Sequence, residues 1–155
     1  MNARQFGRED SSSRGRDPIS GGGYSLSICW GVATDLAVRV EAEATKAKVP
    51  VSVSVIDIHG NLVLIHRMNG APAFSMEISE RKAYTSALVG IRTPELLPMA
   101  QPGQPFFPLG TVSGGKSCAM GGGVPLRSEG ELIAAIGVSG GTVKQDVSIV
   151  EAALK

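Results

Sequence analysis

Apolar and polar positions change period several times along this chain. Leu26, Trp30, Ala33, Ala37, Val40, Ala44 and Ala47 recur at alternating spacings of four and three, with Asp35, Arg39, Glu43 and Lys46 off the row. That spacing predicts an amphipathic helix over 24–48, capped by Ser25 or Ser27 and stopped by Pro50. Small residues dominate its second half, so it can approach a neighbouring layer closely. Val51, Val53 and Val55 then alternate with Ser52 and Ser54, the period of a half-buried strand. Asp57-Ile58-His59-Gly60-Asn61 has turn chemistry, and residues 62–68 read as a second strand, which predicts an antiparallel hairpin. A helix is predicted over 75–89, with Ser75 as cap and Met76, Ile78, Ala83, Ala87 and Leu88 among its apolar positions. A short helix opens at Thr93 and ends at Pro98. Residues 101–116 are rich in Pro and Gly and predict an irregular surface excursion, a kind of segment that often carries function. Residues 117–120 and 124–127 flank Gly121-Gly122-Gly123 as short strands or one bulged strand. Residues 131–138 form the most apolar strand, and 142–154 a final helix.

This order predicts an α+β fold: an antiparallel sheet of approximately five strands flanked by helices in a three-layer, profilin-like arrangement, not a doubly wound one. Residues 1–23 mix Arg, Asp, Ser and Gly around isolated Phe6 and Ile19. They predict a flexible tail ending in a Gly21-Gly22-Gly23 hinge, because so little apolar surface cannot offset the entropy of ordering. Residues 24–155 are then one domain, and 155 residues suffice for one core.

Composition narrows the functional classes. A net charge of +1, with basic residues not clustered with aromatics, argues against nucleic acid and an anionic membrane as partners. No run approaches the ~20 apolar residues of a membrane span, and no apolar signal region opens the chain, so a cytoplasmic location is expected. Cys29 and Cys118 are far apart, and a chain of this size needs no disulfide. The 20 glycines call for tight turns or close backbone approach.

Gly137-Val138-Ser139-Gly140-Gly141 fits a nucleophile elbow, but both histidines precede Ser139 and the required parallel sheet is absent. The hydrolase reading is rejected. The same residues could expose amides at a helix N-terminus to an anion; the plainer reading is a strand-to-helix turn with glycine for close packing. Gly121-Gly122-Gly123 likewise admits a ligand, another chain or a β-bulge. Neither run is a P-loop. Arg67 and Lys82 could receive carboxylates, although solvated surface charge is the commoner fate of such residues. No Cys-x-x-Cys or helical His pair supports a metal site. His66 shares a strand face with Leu62, Leu64 and Met68, and His59 lies in the turn. Either imidazole could ligate a haem iron, as could Met68, Tyr84 or a cysteine.

The motifs together resemble the GlcG/HbpS family of haem-binding-type domains, which also forms the C-terminal domain of PduO. Val53 to Leu62 looks like its hairpin, and Arg67-Met68-Asn69-Gly70-Ala71 like its R-M-D-G-A signature with Asn for Asp. Lys82-Ala83, Thr93-Pro94, Gly122 to Leu126, Ile136 to Gly141 and Gln145-Asp146 follow in family order. Gln101-Pro102-Gly103-Gln104 looks most like the PduO branch. The resemblance covers residues 24–155. It implies a homo-oligomer with ligand sites near subunit boundaries, and haem or a corrinoid-related role. Haem-binding relatives take an axial His from the first helix, whereas residues 24–48 contain none; Tyr24 and Trp30 lie in that region. The adenosyltransferase domain that precedes this module in PduO is not in this chain, so its activity is not expected.

The leading expectation is an oligomeric binding module with no catalytic residues. It would hold haem, a corrinoid-related or other small anionic ligand against Gly121, Gly122, Gly123, Ser139, Gly140 and Gly141. Arg67, Met68, Gly70 and Lys82 would assist, with His66 the first axial candidate and His59 the second. The rivals are an enzyme using Lys82, Asp57 or Asp146 on a small carboxylated metabolite, and an accessory protein of diol or hydroxy-acid utilisation. The latter could sit within a bacterial microcompartment, docked through residues 1–23.

Overall fold

The computed structural model describes residues 28–155. The predicted tail, its glycine hinge, Tyr24, Leu26 and the candidate caps Ser25 and Ser27 lie outside them. Helix α1 spans Trp30–Ala47, strands β1 and β2 span Ser52–Asp57 and Leu62–Arg67, and helix α2 spans Ser75–Val89. The short α3 (Thr93–Leu96) leads into single 3-10 turns at Leu97–Ala100, Phe107–Thr111 and Ser113–Gly115. Strands β3 (Gly123–Ser128) and β4 (Glu131–Ser139) and helix α4 (Val143–Ala153) complete the chain.

The four strands are all antiparallel, in the order β2-β1-β4-β3. The apolar β4 is central, as its composition predicts. Among the described residues the fifth strand is not there: residues 117–120 stay irregular, and the Cys118 N–H goes to Thr85 Oγ1 on α2 at 2.7 Å instead of to a ladder. Sequence pattern marks an extended segment but not its hydrogen-bond partner.

Helices cover both faces of the sheet. On one, Ala33, Leu36, Ala37, Val40 and Ala44 of α1 join Ile149, Val150 and Ala153 of α4 over Val53, Val55, Leu64, Ile136 and Val138. This is the main apolar core. The predicted α1 row holds through its middle and fails at its ends, where Trp30 and Ala47 are exposed. The other face belongs to α2, whose boundaries are those predicted, although Leu88 is exposed and Phe74, not Ser75, is the cap residue.

Ser52 and Ser54 are not the wet side of a half-buried strand. Both are fully buried beneath α2, their hydroxyls sharing hydrogen bonds with Ser75 and Ser79 at 2.7 Å each. Pairing makes the polar face tolerable, since an unpaired buried hydroxyl costs about 1–3 kcal/mol. In register with Ser54 stands Gly137, where a Cβ would lie 2.1 Å from the Ser79 carbonyl oxygen. Gly123, paired with Gly137, would meet the Lys82 carbonyl oxygen at 2.5 Å. Helix α2 therefore rests with its backbone almost on the strands.

The hairpin turn is held by Asp57, whose Oδ1 accepts the N–H groups of His59 and Asn61 at 2.8 Å each. Burial pushes the Asp57 pKa up, but the hydrogen bonds from Asn61 and His59 outweigh it and hold it below its ordinary value. A depressed folded pKa gives stability that is present above the unfolded value and lost as pH falls through the folded one.

Two outcomes are expected. Gly137→Ala should destabilise the fold by about 3 kcal/mol in urea denaturation, because a methyl group meets backbone that cannot yield. Asp57→Asn should flatten the acid limb of melting temperature against pH below the ordinary carboxylate range, leaving a smaller difference between pH 7 and acid than in the wild type.

Candidate functional site

Lys82, Gly121–Gly123 and Ser139–Gly141 come together at the junction of α2, β4 and α4. The Lys82 side chain is 0 % exposed; its Nζ donates to the Val138 carbonyl at 2.9 Å and to Asp146 Oδ2 at 2.8 Å. Asp146, also buried, accepts the Gly141 N–H on Oδ1 at 2.9 Å. The charges were desolvated together, and each is met by its opposite.

The glycines make room for this pair. Gly122 has φ +119, a conformation that L side chains rarely adopt, and a Cβ there would stand 2.6 Å from the Val138 oxygen and 3.1 Å from Lys82 Nζ. At Gly140 a Cβ would meet the Pro50 oxygen at 2.4 Å. The start of α4 is satisfied from within: Thr142 and Gln145 form a capping box, and Asp146 takes the Gly141 amide. Amides that could greet an anion already hold one of the chain's own carboxylates. The space beside these glycines is filled by protein.

Arg67, Met68 and Gly70 lie at the end of β2, at the same end of the sheet as Ser139: Arg67 and Ser139 flank Ser52 of β1 from either side, and a Cβ at Gly70 or Gly140 would meet Pro50. Arg67 Nε donates to the Ala71 carbonyl at 3.0 Å, Met68 Sδ accepts the Val51 N–H at 3.5 Å, and Gly70 packs on Pro50. Their polar contacts are local, and none goes to Lys82 or Asp146. His59 is exposed in the hairpin turn.

His66 has different surroundings. It lies opposite Val53 in the ladder and borders a groove of about 300 Å³ between α1 and β2, lined by Trp30, Ala37, Val38, Leu64 and Ile65. The groove forms because α1 buries its alanine row over β1 and β2 while its next row, Trp30, Thr34 and Val38, overhangs β2, the edge strand. Trp30 and Val38 are 65 % and 64 % exposed. Thr34 turns its hydroxyl back onto the Trp30 and Gly31 carbonyls, so the wall is apolar as far as Glu41. Glu41 of α1 places Oε2 3.3 Å from His66 Nε2, both side chains being about half exposed. Glu41 and Val38 escaped the sequence reading, although an apolar row one step off the buried stripe was a usable signal. Among the described residues no group of three or more His, Cys, Asp or Glu could hold a metal ion by itself, and no helix is long and apolar enough to cross a membrane.

Lys82→Met, which strands a buried carboxylate, should cost about 3–5 kcal/mol in urea denaturation. Adding Asp146→Asn should recover part of that loss, since the neutral amide oxygen can still accept the Gly141 N–H.

Known proteins place this architecture. A family model described as haem degrading protein HbpS-like matches residues 28–155. A 15.0 kDa protein of the dhaT–dhaS intergenic region of Citrobacter freundii is 40 % identical over 128 residues, 83 % of this chain and 90 % of that protein. The corrinoid adenosyltransferase PduO of Salmonella typhimurium is 38 % identical over 111 residues, 72 % of this chain but 33 % of PduO, so the chain spans a third of that protein. A crystal structure of a PduOC:haem complex superposes with a TM-score of 0.79 at 33 % identity, covering 83 % of this chain and 94 % of that one. The ordered motifs, the helix-covered sheet and these matches agree: the chain belongs to the HbpS-like family, the GlcG/HbpS family that its motifs resemble.

Proposed function

We propose that this chain is a binding module for haem or a closely similar tetrapyrrole, held in the groove between α1 and β2 with His66 as the iron ligand. The carrying observation is an imidazole at the border of an apolar groove whose Trp30 and Val38 are left uncovered. Such a groove is at the lower end of small-molecule site volumes, roughly 300–1,000 Å³, and its open side suits a flat ligand with a charged edge. Exposed apolar side chains grouped in one place usually mark a binding surface. The haem complex of a structural relative supports the same ligand class.

The residues fit the group. Trp30, Val38 and Leu64 would exclude water from an apolar face, and His66 would hold the metal. The loss of a first-helix His is met by an imidazole facing that helix from β2. Bound haem would supply a ligand-exchanging, redox-active iron. Assembly into a homo-oligomer in the cytoplasm, or within a microcompartment, belongs to the same proposal. The enzyme reading through Lys82 and Asp146 has no support from their geometry, since both are sealed in a mutual ion pair.

Haemin titration followed by visible absorption tests this. A saturable Soret band is expected, lost or weakened at least ~10-fold in His66→Ala and retained in His59→Ala. Trp30, the chain's single tryptophan, should be quenched in parallel because it lines the groove. A band that does not saturate, or one unchanged in His66→Ala, would overturn the assignment.

A further inference from the structure

We propose that a second pocket, on the α2 side of the sheet, binds a small zwitterion of amino-acid size. Its ammonium is received by Glu80 and its carboxylate by Lys116. The recess has a volume of about 140 Å³ and is lined by Gly60, Glu77, Glu80, Arg81, Tyr84 and Lys116. None of these residues lines the α1–β2 groove, so the inference does not depend on the haem reading.

Glu77, Glu80, Arg81 and Tyr84 recur at helical spacing and share one face of α2. Two of the pocket's four charges are spent within its wall. Arg81 Nε donates to Glu77 Oε1 at 2.9 Å, and Arg81 Nη1 donates to the Gly115 carbonyl. Glu80 and Lys116 are left. Among the described residues neither has an ion-pair partner, so they line one recess without reaching each other. Lys116 Nζ stands instead 5.9 Å from the centre of the Tyr84 ring. Opposite charges held apart in this way are matched by a molecule carrying both signs. A simple anion would gain Lys116 but face Glu80, and a simple cation would gain Glu80 but face Lys116.

The walls are already tied down. Asp57 holds the β1–β2 turn through the His59 and Asn61 amides. Gly60 brings that turn against Tyr84, where a Cβ would lie 2.9 Å from the ring. Arg81 secures the other wall at Gly115. A ligand entering here has little protein to order, which favours binding even by a small molecule. At roughly 30 Å³ per water the recess holds about five waters, close to the number of non-hydrogen atoms in glycine or alanine.

The experiment titrates glycine and L-alanine into the whole chain and follows the backbone amides by NMR, with acetate and methylammonium as one-charge probes. Saturable shifts are expected at Gly60, Tyr84 and Lys116, with each one-charge probe binding at least ~10-fold weaker. Glu80→Gln and Lys116→Met should each weaken glycine binding by about 10-fold. Melting temperature should hold in both, because neither charge has a partner to lose. His66→Ala should bind glycine as the wild type does. Shifts that grow without saturating would overturn the proposal. So would acetate or methylammonium binding as tightly as glycine, or glycine affinity unchanged in Glu80→Gln or Lys116→Met. The probe comparison needs the wild type alone, so it decides the matter even where a variant fails to fold.

Discussion

The near-contact between the α2 backbone and the sheet is the constraint on which the other features depend. Gly137 and Gly123 leave no side chain between strand and helix, and Ser52–Ser75 and Ser54–Ser79 tie the layers by hydroxyl pairs instead of an apolar seam. Lys82, on the sheet side of α2, is fully buried. Its ammonium is carried to the β4 end, where the Val138 carbonyl and Asp146 receive it. Asp146 in turn secures the Gly141 amide before α4. One close approach thus sets the helix on one face, the turn out of the sheet and the start of the helix on the other face.

The opposite face follows ordinary rules, and the candidate site arises there. Alanines let α1 sit low over β1, and valines and isoleucines fill the core beneath. Because β2 is the edge strand, the outer row of α1 has no further strand to cover it. The result is a groove with an apolar wall from the helix, an apolar floor from the strand and an imidazole beside it. The burial that stabilises α1 and the opening that could admit a ligand are two sides of the same helix placement.

Much of the fold was legible because helix and strand periods are local. The α2 boundaries, the hairpin and the central β4 follow from local spacing, turn chemistry and apolar composition. The errors are as informative. Alternation along VSVSV distinguishes two faces but does not say that the polar one is dry; that required α2 to bring serines of its own. Residues 117–120 look extended, and only the position of Thr85 decides that their amide is not available to a strand. Lys82 reads as a surface cation by frequency, and its burial depends on Asp146, which is remote in sequence.

The sequence by itself determined the order and kind of the elements and the family, since both are carried by short motifs whose spacing survives without three-dimensional information. His66 could be named a ligand candidate from its strand face in the same way. Only the tertiary structure decided what the glycines are for, that Lys82 and Asp146 neutralise one another, and that Glu41 stands beside His66. Each of those facts joins residues from separate elements, and a close approach between separate elements is a property of how layers pack, which no local period encodes.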